Sequence, residues 1–216
     1  MKVLGIMGSP RIKGNTDLLL DQALSGAQSQ GAEIEKIKVD KLTITPCKEY
    51  YGCERDGNCV IRDDMDSIYA KLLEADVVIV ASPMFFYGIT GQLKAFIDRC
   101  QALWIRKHVL KQKLTSSERK GVFIGVGATQ GKQLFDGSIL IIKYFFDAIG
   151  ATYTDELLVR GVDTRYYFQN NSSKYRTPVQ YYSLVELYIL QKDFSPDTIV
   201  LVLKYRVNGE SGHFDF

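Results

Sequence analysis

Gly8-Ser9-Pro10-Arg11-Ile12-Lys13-Gly14-Asn15-Thr16 joins two runs of different periodicity. Before it, Lys2-Val3-Leu4-Gly5-Ile6-Met7 reads as a buried parallel strand. After it, Leu19, Leu20, Ala23, Leu24 and Ala27 fall on one face of a helix over Thr16–Ser29. Strand, polar loop and helix in this order make a phosphate site. The helix N-terminus supplies N–H groups that lack carbonyl partners, together with the positive end of the dipole. Ser9, Asn15 and Thr16 add neutral donors, and Arg11 adds a charged planar fork. A terminal monophosphate, with a charge of about −2, suits this donor set better than a diester. The plain alternative is an ordinary β–α turn capped by Asn15.

Two other phosphate loops fail on spacing. A P-loop needs Gly-x4-Gly-Lys-Ser/Thr, whereas here Ser9 to Lys13 separate the two glycines and Asn15 follows Gly14. A dinucleotide fingerprint needs Gly-x-Gly-x-x-Gly, and Gly5, Gly8 and Gly14 do not match it. Asp40, at the end of the second strand-like run, is a lone candidate for a ribose-binding acid.

Working outward, strand-like runs recur at Val3–Met7, Ile34–Val39, Val77–Ala81, Val122–Val126 and Leu157–Arg160. Helical patterns occupy Thr16–Ser29, Asp64–Glu74, Gly91–Trp104 and Asp136–Ile149, with Gly150 as a helix stop. Alternation of strand and helix predicts an α/β fold, a doubly wound three-layer sandwich with a parallel sheet. Such sheets bind ligands beyond the carboxyl ends of their strands. The loops at 8–16, 83–88 and 127–131 are therefore expected at one edge. From Tyr166 onward the chain is rich in Tyr, Asn and Ser. There Ile199–Leu203 reads as a strand, and Tyr181–Leu190 as either strand or helix.

The chain has 216 residues, enough for one well-buried domain and an extension. A net charge of +2 gives no electrostatic case for nucleic acid or an anionic membrane. No apolar run reaches the roughly 20 residues of a membrane span, and the run after Lys2 is too short for a signal-peptide core. Four cysteines without a secretory signal point to a reducing, cytoplasmic setting.

Three further segments bear on identity: Pro46-Cys47 through Cys59-Val60-Ile61-Arg62-Asp63-Asp64-Met65, Ala81-Ser82-Pro83-Met84-Phe85-Phe86-Tyr87-Gly88-Ile89-Thr90, and Gly127-Ala128-Thr129-Gln130-Gly131. With the first loop, they resemble the flavodoxin-like NADPH-dependent FMN reductases, especially their iron-sulfur flavoprotein branch. The resemblance covers roughly residues 1–163 and leaves 164–216 as an extension of unknown structure. It implies a flavodoxin-like FMN-binding domain. The FMN phosphate would lie on Ser9, Arg11, Asn15 and Thr16. The ring would lie against Pro83, Met84, Phe85, Phe86, Tyr87 and Gly88, and its edge along Ala128, Thr129 and Gly131. From residue type alone, the aromatics could instead pack a core or an interface, and the glycine-rich loop could be a connector.

The resemblance also implies an oxidoreductase that takes hydride from NAD(P)H and passes electrons to flavin, quinone or another small-molecule or protein acceptor. The alternative is an electron-transfer flavoprotein that turns over no nicotinamide. No side chain need act as an acid or base, since the flavin supplies the chemistry. A homodimer or homotetramer is expected.

In the iron-sulfur branch, the cysteine segment is a Cys-x2-Cys-x2-Cys-x5-Cys array. Here Cys47, Cys53 and Cys59 match its first, third and fourth positions, and Tyr50 occupies the second. The expectation is a protein without a 4Fe-4S cluster, with a labile three-thiolate cluster and zinc as the remaining readings. Cys100 reads as a packed helix residue. Asp63 and Asp64 are helix-cap candidates. Arg106, Lys107, His108, Lys111 and Lys113 could attract a dinucleotide or could simply be a solvated face. His108 and His213 are too isolated to suggest a metal site.

Overall fold

The computed structural model describes residues 1–162 in full and, beyond them, the backbones of strands at 186–190, 200–207 and 210–212. The order is β1 (Lys2–Met7), α1 (Asn15–Ser29), β2 (Glu33–Lys38), α2 (Cys53–Asp56), α3 (Met65–Glu74), β3 (Val77–Pro83), α4 (Gly91–Arg99), α5 (Gln101–Trp104), β4 (Lys120–Val126), α6 (Asp136–Ile149) and β5 (Thr152–Val159). A π-helical turn at Ile105–Val109 follows α5. The five strands form a parallel sheet in the order β2-β1-β3-β4-β5, the doubly wound arrangement expected from the alternating pattern.

Alternation along each strand builds the two cores. Leu4, Ile6, Val78, Val80 and Phe123 face α3, α4 and α6. Val3, Met7, Val77, Ile79, Ala81, Val122 and Ile124 join the apolar face of α1. These strands are buried on both faces, which is why they read as continuous apolar runs. The helical pattern over Gly91–Trp104 is interrupted: α4 stops at Arg99, Cys100 is irregular (φ −72°, ψ 0°), and α5 restarts at Gln101. Gly150 ends α6 in the left-handed region at φ 72°.

A separate three-stranded antiparallel sheet comprises β6 (Glu186–Leu190), β7 (Val200–Val207) and β8 (Glu210–Gly212). Of the two readings for the stretch ending at Leu190, the strand is the one found in β6, and the strand reading over 199–203 agrees with β7 from Val200 onward. Tyr181 to Val185, Ile199, His213 and the Tyr-rich stretch beginning at Tyr166 lie outside the described residues. Among the described residues, no helix is long and apolar enough to cross a membrane.

Candidate functional site

At the carboxyl edge of the sheet, the loops after β1, β3 and β4 are fastened to one another. Gly8 N–H donates to the Ala81 carbonyl at 2.7 Å, and Thr90 Oγ1 donates to the Gly8 carbonyl at 2.6 Å. Thr90 Oγ1 also accepts from Leu93 N–H at 3.3 Å, capping α4. Ser82 Oγ accepts from Thr90 N–H at 3.3 Å and donates to the Pro83 carbonyl at 2.9 Å. Sequence reading missed Ser82 and Thr90 as site-builders. Their only signal is that two buried hydroxyls bracket the aromatic loop.

In the first loop, Ser9 is buried and its Oγ accepts from Arg11 N–H at 3.1 Å. Arg11 is exposed, Asn15 opens α1, and Thr16 is buried in its first turn. Gly14, not Asn15, occupies the cap position, and no side chain caps the helix. Residue 15 is already helical, so its side chain is not placed to cap. Asp17 carries out a task the sequence did not reveal. Its carboxylate accepts from Lys13 N–H at 2.6 Å and pairs with Lys36 on β2, bracing the loop from below.

The aromatic loop is a two-residue reversal. Phe85 N–H donates to Gly88 O at 2.8 Å, and Gly88 N–H returns the bond at 3.0 Å. Phe86 and Tyr87 hold φ of 49° and 62°, the type I′ pattern that ordinarily takes Asn-Gly. The left-handed backbone of the turn therefore falls on Phe86 and Tyr87, not on the glycine that follows them. A Cβ on Gly88 would meet nothing closer than 3.6 Å. Phe86 is fully exposed, and Phe85 and Tyr87 about half exposed. They do not pack the core of this chain. Pro83 ends β3. Met84 packs on the core, its sulfur accepting from the Ser138 hydroxyl at 3.1 Å.

The third loop meets the second. The Tyr87 hydroxyl stands where a Cβ on Gly131 would be, so Gly131 is the residue that admits it. Ala128 and Thr129 are exposed beside them. Gly127 N–H donates to Val159 O at 2.8 Å, and Val162 N–H donates to Gly127 O at 3.1 Å. Arg160, unremarked in the sequence beyond ending a strand-like run, reaches the Gly131 and Lys132 carbonyls at 3.4 Å. Its guanidinium lies 4.8 Å from the Phe135 ring centroid.

The cysteine segment lies elsewhere. Cys47, Cys53, Cys59 and Cys100 line a cavity of about 970 Å³ against Ile97, Trp104 and Tyr144, and its walls include no residue of the three loops. Asp63 and Arg99 anchor the segment. The Asp63 carboxylate accepts from Arg99 Nη1 at 2.5 Å, Thr45 N–H at 2.9 Å and Met65 N–H at 3.1 Å. Burial opposes its ionisation, but Arg99 and the two N–H groups hold it below the usual carboxylate range. Asp64 occupies the cap position of α3 without a cap bond, and it is Asp63 that bonds the helix's first N–H. Arg99 also donates to the Thr45 and Ile61 carbonyls. Its place in the sequence, in the last turn of α4, does not single it out.

The basic cluster is not brought to the three loops. Arg106 binds Gly57 O at 2.8 Å, while Lys107 and His108 both hold Asp147 at 2.7 Å. Asp40 pairs with Lys41 at 2.9 Å.

A model of the NADPH-dependent FMN reductase family matches residues 1–135. The chain belongs to that family. An iron-sulfur flavoprotein of Methanocaldococcus jannaschii is 44% identical over 105 residues, covering 49% of this chain and 54% of the relative. Another from Methanosarcina thermophila is 36% identical over 130 residues, covering 60% of this chain and 65% of the relative. The chain thus spans about half to two thirds of the length of these curated relatives. Among solved structures, a flavone reductase superposes with a TM-score of 0.54 at 23% identity, over 74% of this chain and 54% of that one, a likeness of fold.

The fold places the loops after β1, β3 and β4 at one sheet edge. The cysteine segment does not supply the four thiolates of a 4Fe-4S cluster, since Tyr50 stands at one position of the array.

Proposed function

We propose that this chain binds FMN at the joined loops and uses it to oxidise NAD(P)H, passing the electrons to flavin, quinone or another acceptor. The observation that carries this reading is the fastening of the phosphate loop to the aromatic loop through Thr90 and Gly8, with Tyr87 seated on Gly131. The donor chemistry suits FMN. The N-terminus of α1, the Arg11 fork and the hydroxyls of Ser9 and Thr16 match a phosphate monoester. Asn15 adds an amide at the same helix start. Phe85, Phe86 and Tyr87 offer flat apolar surface for a ring, with Pro83, Met84 and Gly88 shaping the turn. Backbone N–H groups at Ala128, Thr129 and Gly131 would border the ring edge.

When bound, the flavin supplies two-electron chemistry between a nicotinamide and the acceptor. The chain's residues hold the phosphate, orient the ring and leave one side open beside the exposed Phe86. Residues 1–163 would form this unit, with 164–216 as an addition to it, and the assembly would be a homodimer or homotetramer.

Anaerobic titration of FMN-loaded protein with NADPH tests the reading. Bleaching of the flavin bands followed by reoxidation with a quinone supports it. An FMN-loaded protein that NADPH does not bleach would reduce the reading to a flavin-binding electron carrier. Failure to bind FMN would end it.

A further inference from the structure

We propose that Cys53 and Cys59 form a thiol–disulfide exchange site that takes small disulfides as its substrates. Both thiols line the 970 Å³ cavity, whose rim carries the exposed Tyr50 and Tyr51. The chain between them turns back on itself. Gly57 ends α2 at φ 79°, and its N–H donates to the Cys53 carbonyl at 2.7 Å. Gly52, just before Cys53, lies so close to Val60, just after Cys59, that a Cβ there would collide with the valine. The flanks of the pair are thus in contact, which sets Cys59 apart from Cys47, although both thiols are near enough to Cys53 to act on it electrostatically. Arg106 pins the turn between them through Gly57 O and Asn58 Oδ1.

The two sulfurs have different surroundings. The buried Arg99 guanidinium is near enough to Cys59 to interact with it, and the Tyr69 hydroxyl donates to the Arg99 carbonyl at 2.9 Å. Burial pushes the Cys53 thiol up. Cys59 is therefore the attacking sulfur. Its thiolate attacks a disulfide RSSR, forming a Cys59–SR bond as the S–S bond breaks, and RS⁻ leaves to take up a proton. The Cys53 thiolate then attacks the Cys59 sulfur, forming Cys53–Cys59 and releasing the second RS⁻. The protein loses two electrons and two protons, and RSSR becomes two RSH. Cys100 takes no part, because full burial pushes its thiol far up. None of these steps rests on the flavin reading.

The test incubates the reduced full-length chain with oxidised glutathione, blocks remaining thiols with N-ethylmaleimide and maps the peptides by mass spectrometry. The expected result is a Cys53–Cys59 linked peptide, with Cys47 and Cys100 free. Dithiothreitol should reverse the link. Cys53→Ser should instead accumulate glutathione on Cys59, and Cys47→Ser should leave the cross-link unchanged. A dominant link involving Cys47 or Cys100, or four cysteines still free after oxidation, overturns the proposal. So does stoichiometric iron and sulfide binding that protects Cys53 and Cys59 from alkylation in the unmutated protein.

Discussion

Thr90 Oγ1 lies 2.6 Å from the Gly8 carbonyl oxygen, joining residues 82 positions apart. The same hydroxyl caps α4 by accepting from Leu93 N–H. One buried side chain therefore sets the start of a helix and the distance between the loop after β1 and the aromatic loop. Thr90→Ala should cost about 1–2 kcal/mol of stability, the range of a lost cap, and should weaken FMN binding as well. Thr90→Ser should retain most of both. Urea unfolding and FMN titration of the two variants check this.

Arg11 is exposed at the mouth of the first loop, with its backbone N–H held by Ser9 Oγ. Its fork is free to turn toward a phosphate without disturbing the fold. Arg11→Ala should weaken FMN binding by about 1.5–3 kcal/mol, the scale of a charge-assisted hydrogen bond. Its unfolding midpoint should match that of the parent. Unchanged FMN affinity would remove the phosphate from this loop.

Phe86 combines a φ of 49° with complete exposure. A bulky residue in the left-handed region costs about 1–2 kcal/mol, and among the described residues no core packing offsets it. Phe86→Asn should stabilise the free protein by about 1 kcal/mol, since Asn tolerates that backbone. The same change should impair flavin reduction by NADPH if the ring covers the flavin. Thermal unfolding and stopped-flow reduction separate the two effects.

Asp63 and Arg99 form an ion pair with side-chain exposures of 6% and 0%. Asp63→Ala leaves a buried guanidinium without its counterion, and a loss of about 3–5 kcal/mol is expected. The pH dependence follows from the depressed Asp63 carboxyl. Its contribution is complete above the unfolded-state value of about 4 and is lost as pH falls through the lower folded-state value. Stability of the parent should therefore drop on acidification below that point, and the drop should be shallower in Asp63→Ala. Urea midpoints measured as a function of pH test both statements.

Much of this was legible in the order of residues. Periodicity is local, so the buried strands, the limits of α6 and its Gly150 stop could be read directly. The doubly wound sheet follows from alternation and handedness, and with it the gathering of three loops at one edge. The helix boundary at Arg99, the left-handed turn at Phe86–Tyr87 and the cap at Gly14 were not legible, because each is a local preference overruled by contacts made elsewhere. Phe86 and Tyr87 adopt a glycine's backbone so that Phe85 and Gly88 can pair and Tyr87 can reach Gly131.

By itself the sequence determined the alternation of strand and helix that makes a doubly wound parallel sheet, the donor set of the first loop and the absence of a cysteine at position 50. Only the tertiary structure decided that Thr90 fastens Gly8, that Arg99 and Asp63 anchor the cysteine segment, and that the cysteines share a cavity apart from the loops. The physical reason is range. Backbone propensity and hydrophobic period act over a few residues. A buried hydroxyl or guanidinium finds partners 30 to 82 residues away, and its choice depends on which polar groups the completed fold has removed from water.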